Sequence, residues 1–292
     1  MSQVEERASQ LKNEAQKKLS SRGILQFLFG SSRTEQAIDC FQRAGNLYKM
    51  SKNWREATGV FNEAAHLSLK RGYEFEAANG YINAAKCCKQ YDVTEAIGIM
   101  LRAIDIFVGM GKFMVAARHH QTIAELYENE QMNVPKALEH YEIASEYYKM
   151  DDNFASAKAC LIKVADHSSL KENYKKASEI FKQIADYELS CAILKLSAKD
   201  HFFKSILCKF CMDENGPRLI EQVKNFASRC PLFEGGKEHQ LILTISDCIN
   251  EFDVAKFEEA VKNFDTTTRL STWHVTMLLR IKRGIIEELD LR

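Results

Sequence analysis

Small and large apolar positions recur along this chain with a period of about twenty residues. Ala37, Ala57, Ala77, Ala96, Ala117, Ala137, Ala157, Ala177 and Ala198 set the register. Four places on, many carry an aromatic: Phe41, Phe61, Tyr81, Tyr141, Phe181 and Phe202. Seven places on, many carry a second alanine: Ala44, Ala64, Ala84, Ala103, Ala124 and Ala144. These offsets fall on one face of an α-helix, so each unit shows a stripe of small, large and small side chains. Small residues let helix axes approach, and the aromatic fills the groove between them. One helix per twenty residues means about forty per hairpin, the repeat length of an α-solenoid. No unit can bury its stripe alone; stacked units can.

The polar interruptions between stripes predict the connections. Breaks fall near Met50–Lys52, Arg71-Gly72, Gln90–Asp92, Gly109–Gly111, Asn133–Pro135 and Met150–Asn153, and they are short enough to force antiparallel neighbours. A first helix over about Ser2–Leu19 has only a thin apolar stripe, as an end cap would. Ser20–Gly23 then leads into an apolar knot, Ile24 to Phe29, closed by Gly30–Arg33, which we expect to form a loop at 22–33. The alanine register ends at Asp213–Pro217. Helices near 218–230, 236–250, 254–264 and 273–286 follow without it, and an acidic tail begins at Glu287. The expected organisation is an all-α, TPR-like helical-repeat sheet over 1–215 and a small C-terminal helical bundle over 216–292.

Composition narrows the function classes. Lys plus Arg and Asp plus Glu both number 40, so the formal net charge is zero, which argues against a generic nucleic-acid binder. The nine cysteines follow no framework spacing, no signal peptide opens the chain, and no apolar run approaches the roughly 20 residues of a bilayer span. The expected setting is cytoplasmic and reducing.

Two constellations carry candidate chemistry. The knot contributes Ile24, Leu25, Phe27, Leu28 and Phe29, with Lys17, Lys18, Arg22 and Arg33 around it. It reads either as a staple under the first hairpin or as an exposed group entering the interface of an anionic bilayer. Such a loop alone gives weak, reversible attachment. The second constellation follows from the repeat. Alternate helices place Arg118, Lys158 and Lys199 just after the register alanine, with Lys112 and Lys163 nearby. They read either as ordinary solvated side chains or as a basic stripe complementary to an acidic, rod-like partner. Cys208-Lys209-Phe210-Cys211 has CxxC spacing but no second ligand pair, so packing is the better reading. His119 and His120 are adjacent and point apart on a helix, and Gly109–Lys112 is too short for a phosphate loop. No cofactor or metal is expected, and no active site is visible.

Longer stretches carry a resemblance. They include Phe27–Gly30, Ala44–Trp54, Met110–Phe113 with Ala116–His120, and Ser197–Phe203. Arg269–Trp273, Met277–Lys282 and the terminal Asp290–Arg292 extend it. In these the chain resembles the soluble NSF-attachment proteins, α/β branch, from end to end. The resemblance implies an adaptor, not an enzyme. Such proteins bind the four-helix SNARE complex of syntaxin, SNAP-25-like and synaptobrevin-like proteins, and recruit the hexameric AAA+ ATPase NSF, which pulls the bundle apart. It implies several copies per bundle and peripheral attachment to membranes. It places SNARE contacts on Lys52, Lys112, Arg118, Lys163 and Lys199, in line with the basic stripe. The family usually has lysine where this chain has Ala159, and Lys158 is the neighbour positioned to compensate. NSF contacts map onto Asp213, Asp247 and Glu251, with Asn250 standing where an acid is usual. Leu291 matches the penultimate leucine that stimulates the ATPase.

Two other classes are considered. A generic TPR-type scaffold would clamp an isolated acidic peptide and ignore a folded bundle. A helical-repeat enzyme subunit would use the CxxC or the histidines.

Overall fold

The computed structural model describes residues 3–20, 24–191 and 193–290; for 24–31 and 290 it describes the backbone alone. Among the described residues there are fourteen helices and no strand. They are α1 (Gln3–Ser20), α2 (Ile24–Met50), α3 (Trp54–Lys70), α4 (Glu74–Cys88), α5 (Val93–Gly109), α6 (Phe113–Asn129) and α7 (Val134–Met150). Then come α8 (Phe154–Leu170), α9 (Tyr174–Ser190), α10 (Lys195–Phe210), α11 (Pro217–Arg229), α12 (Lys237–Glu251), α13 (Val254–Thr267) and α14 (Thr272–Asp290). The chain divides into two compact units, Met1–Ala157 and Lys158–Arg292.

The alanine register is the core. Every register alanine from Ala37 to Ala198 is buried, and so are Phe41, Phe61, Tyr81, Tyr141, Phe181 and Phe202. The second alanines of the stripe are equally buried. Gly80 of α4 shows why small residues are needed: a Cβ there would stand 2.9 Å from Cβ of Ala65 on α3. At that separation the helices could not keep their approach.

A repeated turn sets the period. Lys52, Gly72, Gly111, Met132, Asp152 and Glu172 each hold positive φ in the short connection between helices. In most of these turns the next amide donates to a carbonyl five residues back, as Asn53 does to Tyr48, Tyr73 to Ser68 and Lys112 to Phe107. This left-handed closure satisfies terminal carbonyls and reverses the chain. Asn133, Asn153 and Asn173 then accept from the backbone three residues on, starting the next helix.

In the first unit, α1 to α7 pack in chain order as antiparallel neighbours. This is the stacking expected of a helical repeat. In the second unit α10 is the hub, packing on α9, α12 and α14. The rings of Phe202 and Phe226 stack with centroids 3.8 Å apart, Phe233 meets both edge-on, and Phe203 packs against Phe264 and His274.

Two local expectations are corrected. The backbone is helical from Ile24, so the part of the expected loop from 24 to 33 belongs to α2, while 22 and 23 lie outside the described residues. A single glycine costs a helix interior only about 1 kcal/mol relative to alanine, so Gly30 does not by itself end the helix. The tail expected from Glu287 is also helical as far as Asp290, because Ile285 still anchors α14 in the core.

Candidate functional site

The first unit carries Lys52, Lys112 and Arg118. Lys52 is exposed at φ 60° in the α2–α3 turn, where other turns use Gly72 and Gly111. Lys112 is exposed at the N-terminal boundary of α6, and Arg118 is exposed within it. Because the helices alternate in direction, the α2–α3 and α5–α6 turns lie on opposite edges of the stack. Cross-links between turns two hairpin strokes apart follow the same alternation. Gln131 donates to Thr94 and Lys89 pairs with Glu130 on one edge, while the Met114 amide donates to Asp151 on the other. Helices of 17 residues are about 25 Å long. Lys52 therefore stands about one helix length from Lys112 along that direction, and Arg118 about 9 Å inward of Lys112. The three are spread over the stack rather than gathered.

The histidines do point apart. His119 stacks on Phe107, while His120 Nδ1 lies 2.9 Å from His140 Nδ1 and the ring stacks on Tyr147. Burial, then the neighbouring His140, pushes His120 down to about 4, and burial lowers His140 as well. The pair is neutral, one ring donating to the other.

In the second unit the basic positions behave differently from one another. Lys163 is exposed on α8. Lys158 turns its ammonium to the fully buried carboxylate of Glu188 on α9, at 3.0 Å. That carboxylate also accepts from Ser197 Oγ at 2.9 Å and meets His201 Nδ1 at 2.7 Å. Burial alone would raise the Glu188 pKa, but His201, Lys158 and Ser197 outweigh it and hold it below the ordinary value. Lys199 pairs at 2.8 Å with Glu238, buried in the first turn of α12. Burial opposes the Lys199 charge, yet the Glu238 hydrogen bond and charge keep its pKa raised. Ala159, next to Lys158, faces solvent. Two of the stripe's cations are thus committed to internal carboxylates. Sequence carried the sign of this: Glu188 falls four residues after Ile184 and seven after Phe181, on the apolar face of α9.

The acidic residues are on the surface of the same unit. Asp247 and Glu251 are exposed one turn apart near the end of α12, and Glu251 pairs with Lys256 at 3.0 Å. Asp213 is exposed at φ 57° just after α10. Asn215 fixes that turn to α12: its Nδ2 donates to Ser246 O and to Asn250 Oδ1, and its Oδ1 accepts from Ser246 Oγ. Asn250 is therefore an anchor for the turn that presents Asp213. The side chains of Ile24, Leu25, Phe27, Leu28 and Phe29, and Leu291 entirely, lie outside the described residues.

Cys208 is fully buried and Cys211 half-buried on the core side of α10. Burial pushes Cys211 up to about 12 and Cys208 higher still, so both remain thiols near neutral pH. Among the described residues no group of His, Cys, Asp and Glu is arranged to hold a metal ion.

A set of contacts that had no assigned role joins α14 to the end of α8. Arg280 donates to the carbonyls of Ser169 and Leu170 at 2.8 and 2.9 Å and to the Tyr174 hydroxyl at 3.1 Å. Trp273 Nε1 donates to Ser169 Oγ at 2.7 Å. Lys204 pairs with Asp166 at 2.9 Å and lies over the Trp273 ring.

Comparison with known proteins adds independent findings. The family model described as "Soluble NSF attachment protein, SNAP" matches residues 6–286. The human alpha-soluble NSF attachment protein is 40% identical over 291 residues, covering 99% of this chain and 98% of its own length. The bovine beta-soluble NSF attachment protein is 40% identical over 283 residues, covering 96% and 94%. The vesicular-fusion protein SEC17 of Komagataella phaffii is 34% identical over 289 residues, covering 97% of each.

Proposed function

The chain belongs to the soluble NSF attachment protein family, and from that membership we propose that it is an adaptor, not an enzyme. It binds assembled SNARE bundles and recruits and stimulates the ATPase NSF, which disassembles them after vesicle fusion. The observation that carries this reading is the family match along 6–286, with relatives of both the alpha and beta types aligned over nearly the whole chain.

The surface chemistry supports the assignment. The SNARE-facing set is Lys52, Lys112, Arg118, Lys158, Lys163 and Lys199. Surface cations give fast, salt-sensitive and reversible docking on an acidic bundle, which suits an adaptor that must be released each cycle. Lys158 and Lys199 contribute while sharing their charge with Glu188 and Glu238. The NSF-facing set is Asp213, Asp247, Glu251 and Leu291. We assign the repeat sheet, 1–215, to the bundle and the terminal helices, 216–292, to the ATPase.

Among the described residues no helix is long and apolar enough to cross a membrane. We assign membrane contact to Ile24, Leu25, Phe27, Leu28 and Phe29, at the start of α2. Several copies on one bundle of syntaxin, SNAP-25-like and synaptobrevin-like proteins, beneath an NSF hexamer, make these weak contacts additive. The site of action is the cytoplasmic face of membranes.

A pull-down with a purified SNARE bundle and NSF, with and without ATP, tests the reading. Retention of NSF on the bundle only in the presence of this chain, released by ATP, is expected. Binding to an isolated acidic peptide but not to the folded bundle would instead identify a peptide-clamping scaffold.

A further inference from the structure

The last helix, α14, is joined to the C-terminal end of α8 by contacts that general packing does not require. The final carbonyls of a helix have no partner within it and carry its partial negative charge. In α8 those of Ser169 and Leu170 receive both arms of the Arg280 guanidinium, from a residue 111 and 110 positions away in sequence. The same guanidinium donates to Tyr174 at the start of α9 and lies over its ring. Trp273, two turns earlier on α14, adds a buried hydrogen bond to Ser169 Oγ and packs edge-on against Phe181. Lys204 closes the set, bridging Asp166 of α8 to the faces of Phe181 and Trp273.

A guanidinium fork in a fixed plane across two carbonyls, with an indole N–H beside it, resists sliding and rotation together. Lys163, exposed on α8, is six residues or about 9 Å from the clamped carbonyl of Ser169. At the other end α14 runs on to Asp290, which immediately precedes the penultimate residue Leu291 in sequence.

We propose that Arg280 and Trp273 are positioning residues that couple the ATPase-facing helix α14 to the bundle-facing helix α8, so that motion imposed on one is carried to the other. This rests on the adaptor reading above. Neither residue touches a partner; they decide how much of the ATPase's work reaches the bundle.

The test separates binding, stimulation and disassembly. Arg280→Ala is expected to keep bundle binding and stimulated ATP hydrolysis within about twofold of the parent, while bundle disassembly per ATP falls about tenfold, the size expected from losing charged hydrogen bonds. Arg280→Lys, which keeps the charge but not the fork, should fall between. Amide exchange at the end of α8 should quicken in both. If Arg280→Ala unfolds the second unit, Trp273→Phe carries the test, since it removes the donor to Ser169 and keeps the ring against Phe181. Disassembly per ATP equal to the parent's in a folded variant with quickened exchange overturns the coupling. A parent protein that neither binds the bundle nor stimulates NSF overturns the adaptor reading instead.

Discussion

Removing the carboxylate of Glu188 should weaken the second unit more than any surface charge change. Its side chain is 0% exposed, that of Lys158 25% and that of His201 13%. Replacing it by alanine leaves an ammonium, an imidazole and the Ser197 hydroxyl pointing at a void. Deleting one partner of a buried, hydrogen-bonded ion pair costs about 3–5 kcal/mol. Lys158 can regain water through its exposed quarter, so the lower part of that range applies, about 3–4 kcal/mol. At roughly 4 °C per kcal/mol for a unit of this size, the melting transition of the second unit should drop about 12–16 °C in scanning calorimetry. Glu188→Gln keeps the shape but turns an amide N–H toward donors, and should lose about half as much. The pH sign also follows. The folded pKa lies below the ordinary 4.5, so the stabilisation is complete above that value and disappears as pH falls through the folded pKa. A double-mutant cycle of Glu188→Leu with Lys158→Met isolates the pair, and its coupling should be favourable by about 1–3 kcal/mol. Strict additivity, or a shift below about 3 °C for Glu188→Ala, would refute the buried-hub argument.

Other expectations are narrower. Phe27→Ser with Leu28→Ser should leave folding intact and slow disassembly of membrane-anchored bundles more than of soluble ones; equal slowing on both would remove the membrane role. Leu291→Ala should assemble with bundle and NSF normally yet lower NSF turnover, measured as phosphate release. The neutral His120–His140 pair should make the first unit less stable in acid. The His120 pKa falls from 6.5 unfolded to about 4 folded, so stability is full above 6.5 and declines toward 4. That amounts to about 2 kcal/mol between pH 7 and 5 from His120 alone. His120→Asn should flatten the melting temperature against pH, and an unchanged slope would count against the buried pair.

The repeat was legible because its chemistry is local. One small residue per turn of pattern, an aromatic four places on and a break each twenty residues admit little besides stacked helical hairpins, and Ala37 through Ala198 are buried accordingly. The terminal helices were legible from Pro217 at the first position of α11 and the breaks around them. The site was legible only as residue types. Periodicity locates Lys158 and Lys199 on their helices but does not reveal which carboxylates come to meet them. Glu188 and Glu238 arrive from α9 and α12, and only their place on apolar faces hinted at burial. The clamp of Arg280 on Ser169 and Leu170 spans over a hundred residues. Helical periodicity holds no information at that separation. The start of α2 resembles a loop in sequence because its apolar run breaks the register, and register is a property of packing rather than of helix formation.

The central claim is that this chain is a charge-docked adaptor between a SNARE bundle and NSF. The direct measurement is bundle binding by the double charge reversal Arg118→Glu with Lys163→Glu, against the parent at two salt concentrations, with circular dichroism to confirm that the helices persist. The account predicts that a helical, folded variant no longer binds the bundle and that parent binding weakens as salt rises. A folded variant that retains parent affinity, or parent binding indifferent to salt, would contradict it.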